Sequence, residues 1–117
     1  MVDEEEAKRI SGAQVIEDAS EALRELGPEI VAIKMGKEGC YVSWGESQIR
    51  VPAVRVSPVC TVGAGDAFDS AFILGVLNRW EIEKVARFAN FVGALSTTKL
   101  GCSIALSNAD DMVKSLI

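Results

Sequence analysis

Thr61-Val62-Gly63-Ala64-Gly65-Asp66-Ala67-Phe68 constrains what this chain can fold into more than any other stretch. It is a glycine turn without bulky side chains, ending in one carboxylate and running directly into an apolar pattern. Phe68, Phe72, Ile73, Val76, Leu77 and Trp80 recur at helical spacing, which places Gly-Ala-Gly-Asp on a helix N-terminus. The first backbone N–H groups of a helix have no intrahelical acceptor, and the helix dipole there favours negative charge. Glycines let the backbone approach an anion closely, so the turn fits a phosphate cradle with a proton-accepting carboxylate beside it. The same residues also fit a purely structural role, in which Gly63 and Gly65 make a tight turn and Asp66 caps the helix.

The flanking sequence alternates α and β patterns around a β-rich middle. Val15, Ile16, Ala19, Ala22, Leu23 and Leu26 form one face of a helix that Gly27-Pro28 stops. Ile30-Val31-Ala32-Ile33 is a continuous apolar run, as a strand covered on both faces requires. Gly36-Lys37-Glu38-Gly39 turns the chain into Cys40–Trp44, and Gly45-Glu46 turns it again into Ser47–Val51. Pro52 and Pro58 mark the next extended piece as an edge or a connection. Two helices are predicted near 65–79 and 82–98, then a loop at Gly101 and a short helix near 108–116. That order suits a single α/β domain over 1–117.

Charge and residue usage exclude several function classes. With 12 basic and 17 acidic side chains, net −5, the chain lacks the basic stripe of a nucleic-acid binder. No apolar run approaches a membrane span, and the acidic N-terminus is unlike a signal peptide. Cys40, Cys60 and Cys102 are widely spaced, and there is no histidine, so buried free thiols in a reducing cytoplasm are expected. Without histidine there is no serine–histidine triad, and the cysteines have no base. Neither a Walker-type loop nor a dinucleotide fingerprint is present; Phe68 stands where the third glycine of the latter belongs. These residues support phosphoryl transfer or nothing catalytic.

Val59-Cys60-Thr61-Val62-Gly63-Ala64-Gly65-Asp66-Ala67-Phe68 resembles the Asp-Thr-x-Gly-Ala-Gly-Asp-x-Phe signature of the ribokinase/PfkB carbohydrate kinases. Three more segments match in order. Asp3-Glu4-Glu5-Glu6-Ala7 with Ser11-Gly12 is similar to Asn-x-x-Glu-Ala…Thr-Gly, and Lys34-Met35-Gly36-Lys37-Glu38-Gly39 to the nucleotide loop Thr-Leu-Gly-x-x-Gly. Ala89-Asn90-Phe91-Val92-Gly93-Ala94, leading to Gly101, resembles the late helix over the adenine. The resemblance implies a three-layer ribokinase-like α/β fold, of which this chain is the C-terminal, nucleotide-binding part only. The N-terminal half, which in the family carries the sugar site and lid, has no counterpart here.

By that resemblance Asp66 takes a proton from a sugar or nucleoside hydroxyl attacking the γ-phosphate of ATP. Gly63, Ala64 and Gly65 form the anion hole, Lys34, Gly36, Gly39 and Asn90 bind nucleotide, and Glu6 orients a water on Mg²⁺. Each residue has a structural counter-reading. Glu6, beside Glu4 and Glu5, fits a solvated first helical turn. Asn90 fits a satisfied buried amide, and Lys34 a solvent-facing strand end. Gly36 and Gly39 are turn residues under both readings, and Trp44 and Trp80 fit packing rather than sugar platforms.

Two positions depart from the family pattern. Cys60 replaces the first signature aspartate, and Ala105 falls at the serine that helps it hold a monovalent cation, with Ser103 and Ser107 nearby. A thiol suits a hard cation poorly, so potassium activation is not expected; the resemblance also brings Cys60 near Cys102. Asp3 replaces asparagine, a change in charge near the metal. The alternatives to a kinase are a non-catalytic nucleotide-binding or regulatory module and a decayed, self-associating fragment. The truncated sheet favours a homodimer in either case.

Overall fold

Two compact units, Met1–Pro52 and Ala53–Ile117, make up the chain in this computed structural model. The structure describes residues 1–56 and 63–98. The predicted loop at Gly101, the helix near 108–116, and residues Pro58, Cys60, Cys102, Ser103, Ala105 and Ser107 lie outside the described residues.

The first unit is a four-stranded sheet with two helices. In chain order it runs β1 (Val2–Asp3), α1 (Glu4–Ser11), α2 (Ile16–Glu25), β2 (Ile30–Lys34), β3 (Cys40–Trp44) and β4 (Ser47–Val51). The spatial order is β1-β2-β3-β4. β1 lies parallel to β2, pairing Val2 with Ile33 and Asp3 with Lys34. The antiparallel pairs set Ile33 opposite Tyr41 and Tyr41 opposite Arg50. Because side chains alternate across a strand, Val31, Ile33 and Tyr41 share one face, where Ala7, Ile16, Ala19 and Leu23 from the helices cover them. The opposite face carries Ala32, Cys40 and Val42, also buried. The apolar run at β2 is therefore covered on both sides, as its composition requires.

Polar links fix α2 on this sheet. The buried hydroxyls of Ser20 and Ser43 share a hydrogen bond, and the Arg24 guanidinium donates to the Gly45 carbonyl at 3.1 Å. Arg50 pairs with Glu17 at 2.7 Å and lies 5.7 Å from the Tyr41 ring centroid. Glu17 is held below the ordinary carboxylate range, first by a backbone hydrogen bond and then by Arg50. The Cys40 thiol is fully buried, and that burial pushes it up to about 11.

The second unit contains a helical hairpin, α3 (Ala64–Leu77) and α4 (Ile82–Ser96). Its turn is set by Asn78, whose side-chain amide donates to the Leu74 carbonyl at 2.7 Å, and by Arg79 at φ +58°. Two glycines let the helices touch. A Cβ on Gly75 of α3 would lie 2.8 Å from Cγ2 of Val85. A Cβ on Gly93 of α4 would lie 3.4 Å from both the Ala64 carbonyl oxygen and the Phe68 Cβ. These two contacts make the helices antiparallel. Between them Trp80 meets Phe88 edge-on at 5.3 Å, and the Phe68 and Phe72 rings stack at 5.8 Å. Burying one side chain of the size of Phe88 contributes about 1.5–3 kcal/mol. The outer face of α3 leaves Ile73, Val76 and Leu77 exposed.

Candidate active site

The glycine turn does open a helix. Gly63 is the N-cap of α3, with φ +86° and ψ −1°, a left-handed conformation that side chains with a Cβ rarely adopt. The first intrahelical bond runs from the Ala67 N–H to the Gly63 carbonyl at 2.9 Å. The N–H groups of Ala64, Gly65 and Asp66 precede it and have no acceptor within the helix. No side chain among the described residues caps this end. Asp66 is the third helical residue and is exposed, with its carboxylate in the first turn. It does not supply the N-cap, which is Gly63. Ala67, Phe68, Ala71 and Phe72 are buried and anchor the turn from behind.

In the first unit, a second group of the predicted residues gathers at the ends of two parallel strands. Lys34 ends β2 beside Asp3 of β1. The chain then passes through a 3₁₀ turn, Gly36–Glu38, closed by a bond from the Met35 N–H to the Gly39 carbonyl at 2.8 Å. Gly39 takes φ +92° and ψ −132°, which only glycine adopts readily. Carboxyl ends of parallel strands are where α/β sheets bind ligands.

Glu6 is committed in a way the sequence reading did not foresee. Its Oε1 accepts the Asp3 N–H at 3.1 Å, while Asp3 Oδ1 accepts the Glu6 N–H at 2.8 Å. This reciprocal pair is a capping box at the start of α1, and its Asp-x-x-Glu spacing was visible in the sequence. The Asp3 carboxyl is held below its usual range, chiefly by the Glu6 N–H and also by the nearby Lys34 charge. Among the described residues no three acidic or thiol side chains cluster as a metal cage. Lys34 is half-buried and interacts within the fold, rather than standing free in solvent.

Asn90 is buried on α4, and every buried side-chain polar atom among the described residues has a partner. A cavity of about 410 Å³ lies elsewhere on the hairpin, lined by Trp80, Glu81, Glu83, Lys84, Arg87 and Phe88. It flanks the α3–α4 turn, at the far end of α3 from Asp66. It contains none of the predicted site residues.

The sequence profile of the pfkB family carbohydrate kinase matches residues 1–109, nearly the whole chain and all the positions described above. The chain belongs to the PfkB family of carbohydrate kinases. An uncharacterised sugar kinase of Archaeoglobus fulgidus is 41% identical over 93 residues, 80% of this chain and 37% of its own length. The crystal structure of a fructokinase from Vibrio cholerae, bound to fructose, ADP and calcium, superposes with TM-score 0.80 at 30% identity. That match covers 99% of this chain and 41% of the fructokinase. A protein described as a ribokinase II from E. coli, crystallised with ATP and Mg²⁺, gives TM-score 0.81 at 26% identity. It covers 97% of this chain and 38% of its own. The fold is thus ribokinase-like α/β, and this PfkB chain spans about two fifths of the length of these relatives. No described helix is long and apolar enough to cross a membrane.

Proposed function

We propose that this chain is the C-terminal, nucleotide-binding part of an ATP-dependent carbohydrate kinase and carries its catalytic base, Asp66. The observation that carries the reading is the open N-terminus of α3. Three N–H groups there have no intrahelical acceptor, no side chain among the described residues caps them, and an exposed carboxylate stands in the same turn. α2 and α4 also start without a side-chain cap, but neither pairs that start with a left-handed glycine and an exposed carboxylate in a glycine-rich first turn.

The roles follow from the chemistry. Asp66 accepts the proton of a sugar or nucleoside hydroxyl and orients its oxygen; a loose phosphoryl-transfer transition state needs little prior deprotonation, so an ordinary carboxylate suffices. The N–H groups of Gly63, Ala64, Gly65 and Asp66 face the negative charge that builds up on the transferring oxygens. Lys34 meets a phosphate as a point charge, and Gly36 and Gly39 let the backbone run close to the nucleotide. Asn90 serves the adenosine end. Glu6, steadied by Asp3, holds a metal-bound water. ATP supplies the phosphoryl group, and Mg²⁺ neutralises the charge on its phosphates.

A reducing, cytoplasmic setting is part of this reading and agrees with the buried free thiol of Cys40. So is a two-fold dimer; light scattering that returns a clean monomer at high concentration removes that element. The central test is calorimetric titration of the chain with MgATP and MgADP. Binding is expected at millimolar nucleotide or below, and the absence of both heat and thermal shift refutes the reading. Nucleotide binding combined with full activity of an Asp66→Asn enzyme would favour a nucleotide-binding module without a catalytic base here.

A further inference from the structure

We propose that Gly93 is a positioning residue for the anion turn: α4 lies so close to the first peptide of α3 there that nothing larger than a methyl group fits without moving it, and this sets the aim of the Gly65 N–H. The inference rests on the reading that this turn holds phosphate, and it adds a residue from another helix to that site.

The contact is specific. A Cβ on Gly93 would stand 3.4 Å from the Ala64 carbonyl oxygen, 3.4 Å from the Phe68 Cβ and 3.9 Å from the Phe68 Cα. The Ala64 carbonyl belongs to the same rigid peptide plane as the Gly65 N–H, on the opposite side. Pushing that oxygen therefore rotates the N–H that faces the ligand. In an α-helix the same carbonyl also accepts the Phe68 N–H, so displacement loosens the first turn as a whole. One methyl group fits in van der Waals contact, whereas a β-branched side chain has one preferred helical rotamer and cannot easily turn away.

Gly75 provides an internal control. It lies on the same helix–helix interface, about 16 Å along α3 from Ala64 at 1.5 Å per residue. A Cβ there would lie only 2.8 Å from Cγ2 of Val85 and 3.2 Å from the Trp80 ring. Gly75→Ala should accordingly disturb the hairpin more than Gly93→Ala does, yet leave the turn unmoved.

The experiment uses the full chain, with amide spectra of ¹⁵N-labelled protein and titrations of inorganic phosphate and MgADP. Gly93→Val should move the Gly65 amide resonance and weaken both ligands at least fivefold. Gly93→Ala should bind within twofold of wild type, with a smaller shift of the same resonance. Gly75→Ala should lower Tm while leaving the Gly65 amide and both affinities unchanged. An unmoved Gly65 amide in Gly93→Val, or equal losses of affinity in Gly75→Ala, overturns the assignment. If Gly93→Val does not fold, Gly93→Ala decides: its largest shifts must fall on Ala64, Gly65 and Asp66, and shifts spread evenly along α3 overturn it. Wild-type protein that binds neither ligand refutes the kinase reading, and the amide shifts then judge the geometry of Gly93 by themselves.

Discussion

The two units hold themselves together by different means. In the first, polar groups are spent on internal links: the Asp3–Glu6 capping box, the Ser20–Ser43 pair, Arg24 on the Gly45 carbonyl and Arg50 on Glu17. In the second, α3 and α4 meet through glycine contacts and aromatic rings, and the pairing of Arg87 with Glu83 lies on one helix. Among the described residues no side chain caps the N–H groups at the start of α3. On the reading proposed above, the N–H groups at the start of α3 face a ligand. Such groups, braced by an apolar floor, are on that reading the better guide to where chemistry happens.

Four measurements press on that contrast. The largest effect should come from Phe88→Ala, which empties a site that is 2% exposed and removes the edge-on contact with Trp80. A loss of about 3–5 kcal/mol is expected in denaturant unfolding; a loss under 1 kcal/mol would mean the hairpin is not held by its apolar seam. Next is Asp66→Asn in an enzyme completed with a sugar-binding half. Turnover should fall by roughly 10²-fold or more with nucleotide affinity nearly unchanged, because the base acts in the transition state. Equal losses in both would instead describe a binding residue.

Smaller effects are expected in the first unit. Ser43→Ala leaves the Ser20 hydroxyl buried without its partner, at a cost of about 1–3 kcal/mol, and Ser20→Ala/Ser43→Ala should recover part of it. A double variant no better than the single would break the claim that these hydroxyls act as a pair. Smallest is the capping box, where Asp3→Ala should cost ~1 kcal/mol. The pH dependence gives its sign. The folded Asp3 carboxyl lies below its ordinary value of 3.8, so its stabilisation is present above that value and is lost as pH falls through the lower, folded one. Wild type and Asp3→Ala should therefore converge in stability in strong acid; a constant gap down to pH 2 would assign the cost to something other than ionisation.

Much of this was legible in the chain because the signals were long or chemically distinctive. The apolar spacing from Val15 to Leu26 ended at Gly27-Pro28, as α2 does, and Ile30–Ile33 and the Gly45 turn located β2, β3 and β4. α3 and α4 begin and end within two residues of the predicted limits. At their ends Asn78 turns back onto Leu74, and the Thr97 hydroxyl bonds the Ala94 carbonyl. β1 was missed because two residues cannot display a period of two; only pairing with β2 makes it a strand. The capping box was written in Asp3 and Glu6 but was hidden by the run of acids around them. Nothing in the sequence singled out the packing of Gly93, since no sequence pattern records which backbone lies across from it. That the glycine turn opens a helix was legible, because the apolar spacing from Phe68 onward marks α3.

Cys40 offers a clock. Its sulfur is sealed within the sheet and keeps its proton far into alkali, so an alkylating reagent has no thiolate to attack while the strands stay closed. Modification at that one position, read by peptide mass, then counts the events that expose the Cys40 face of the β2–β3–β4 layer. Each molecule carries a built-in timer for half of its architecture. The lifetime of the sheet can be followed while the helical hairpin is mutated or given a nucleotide.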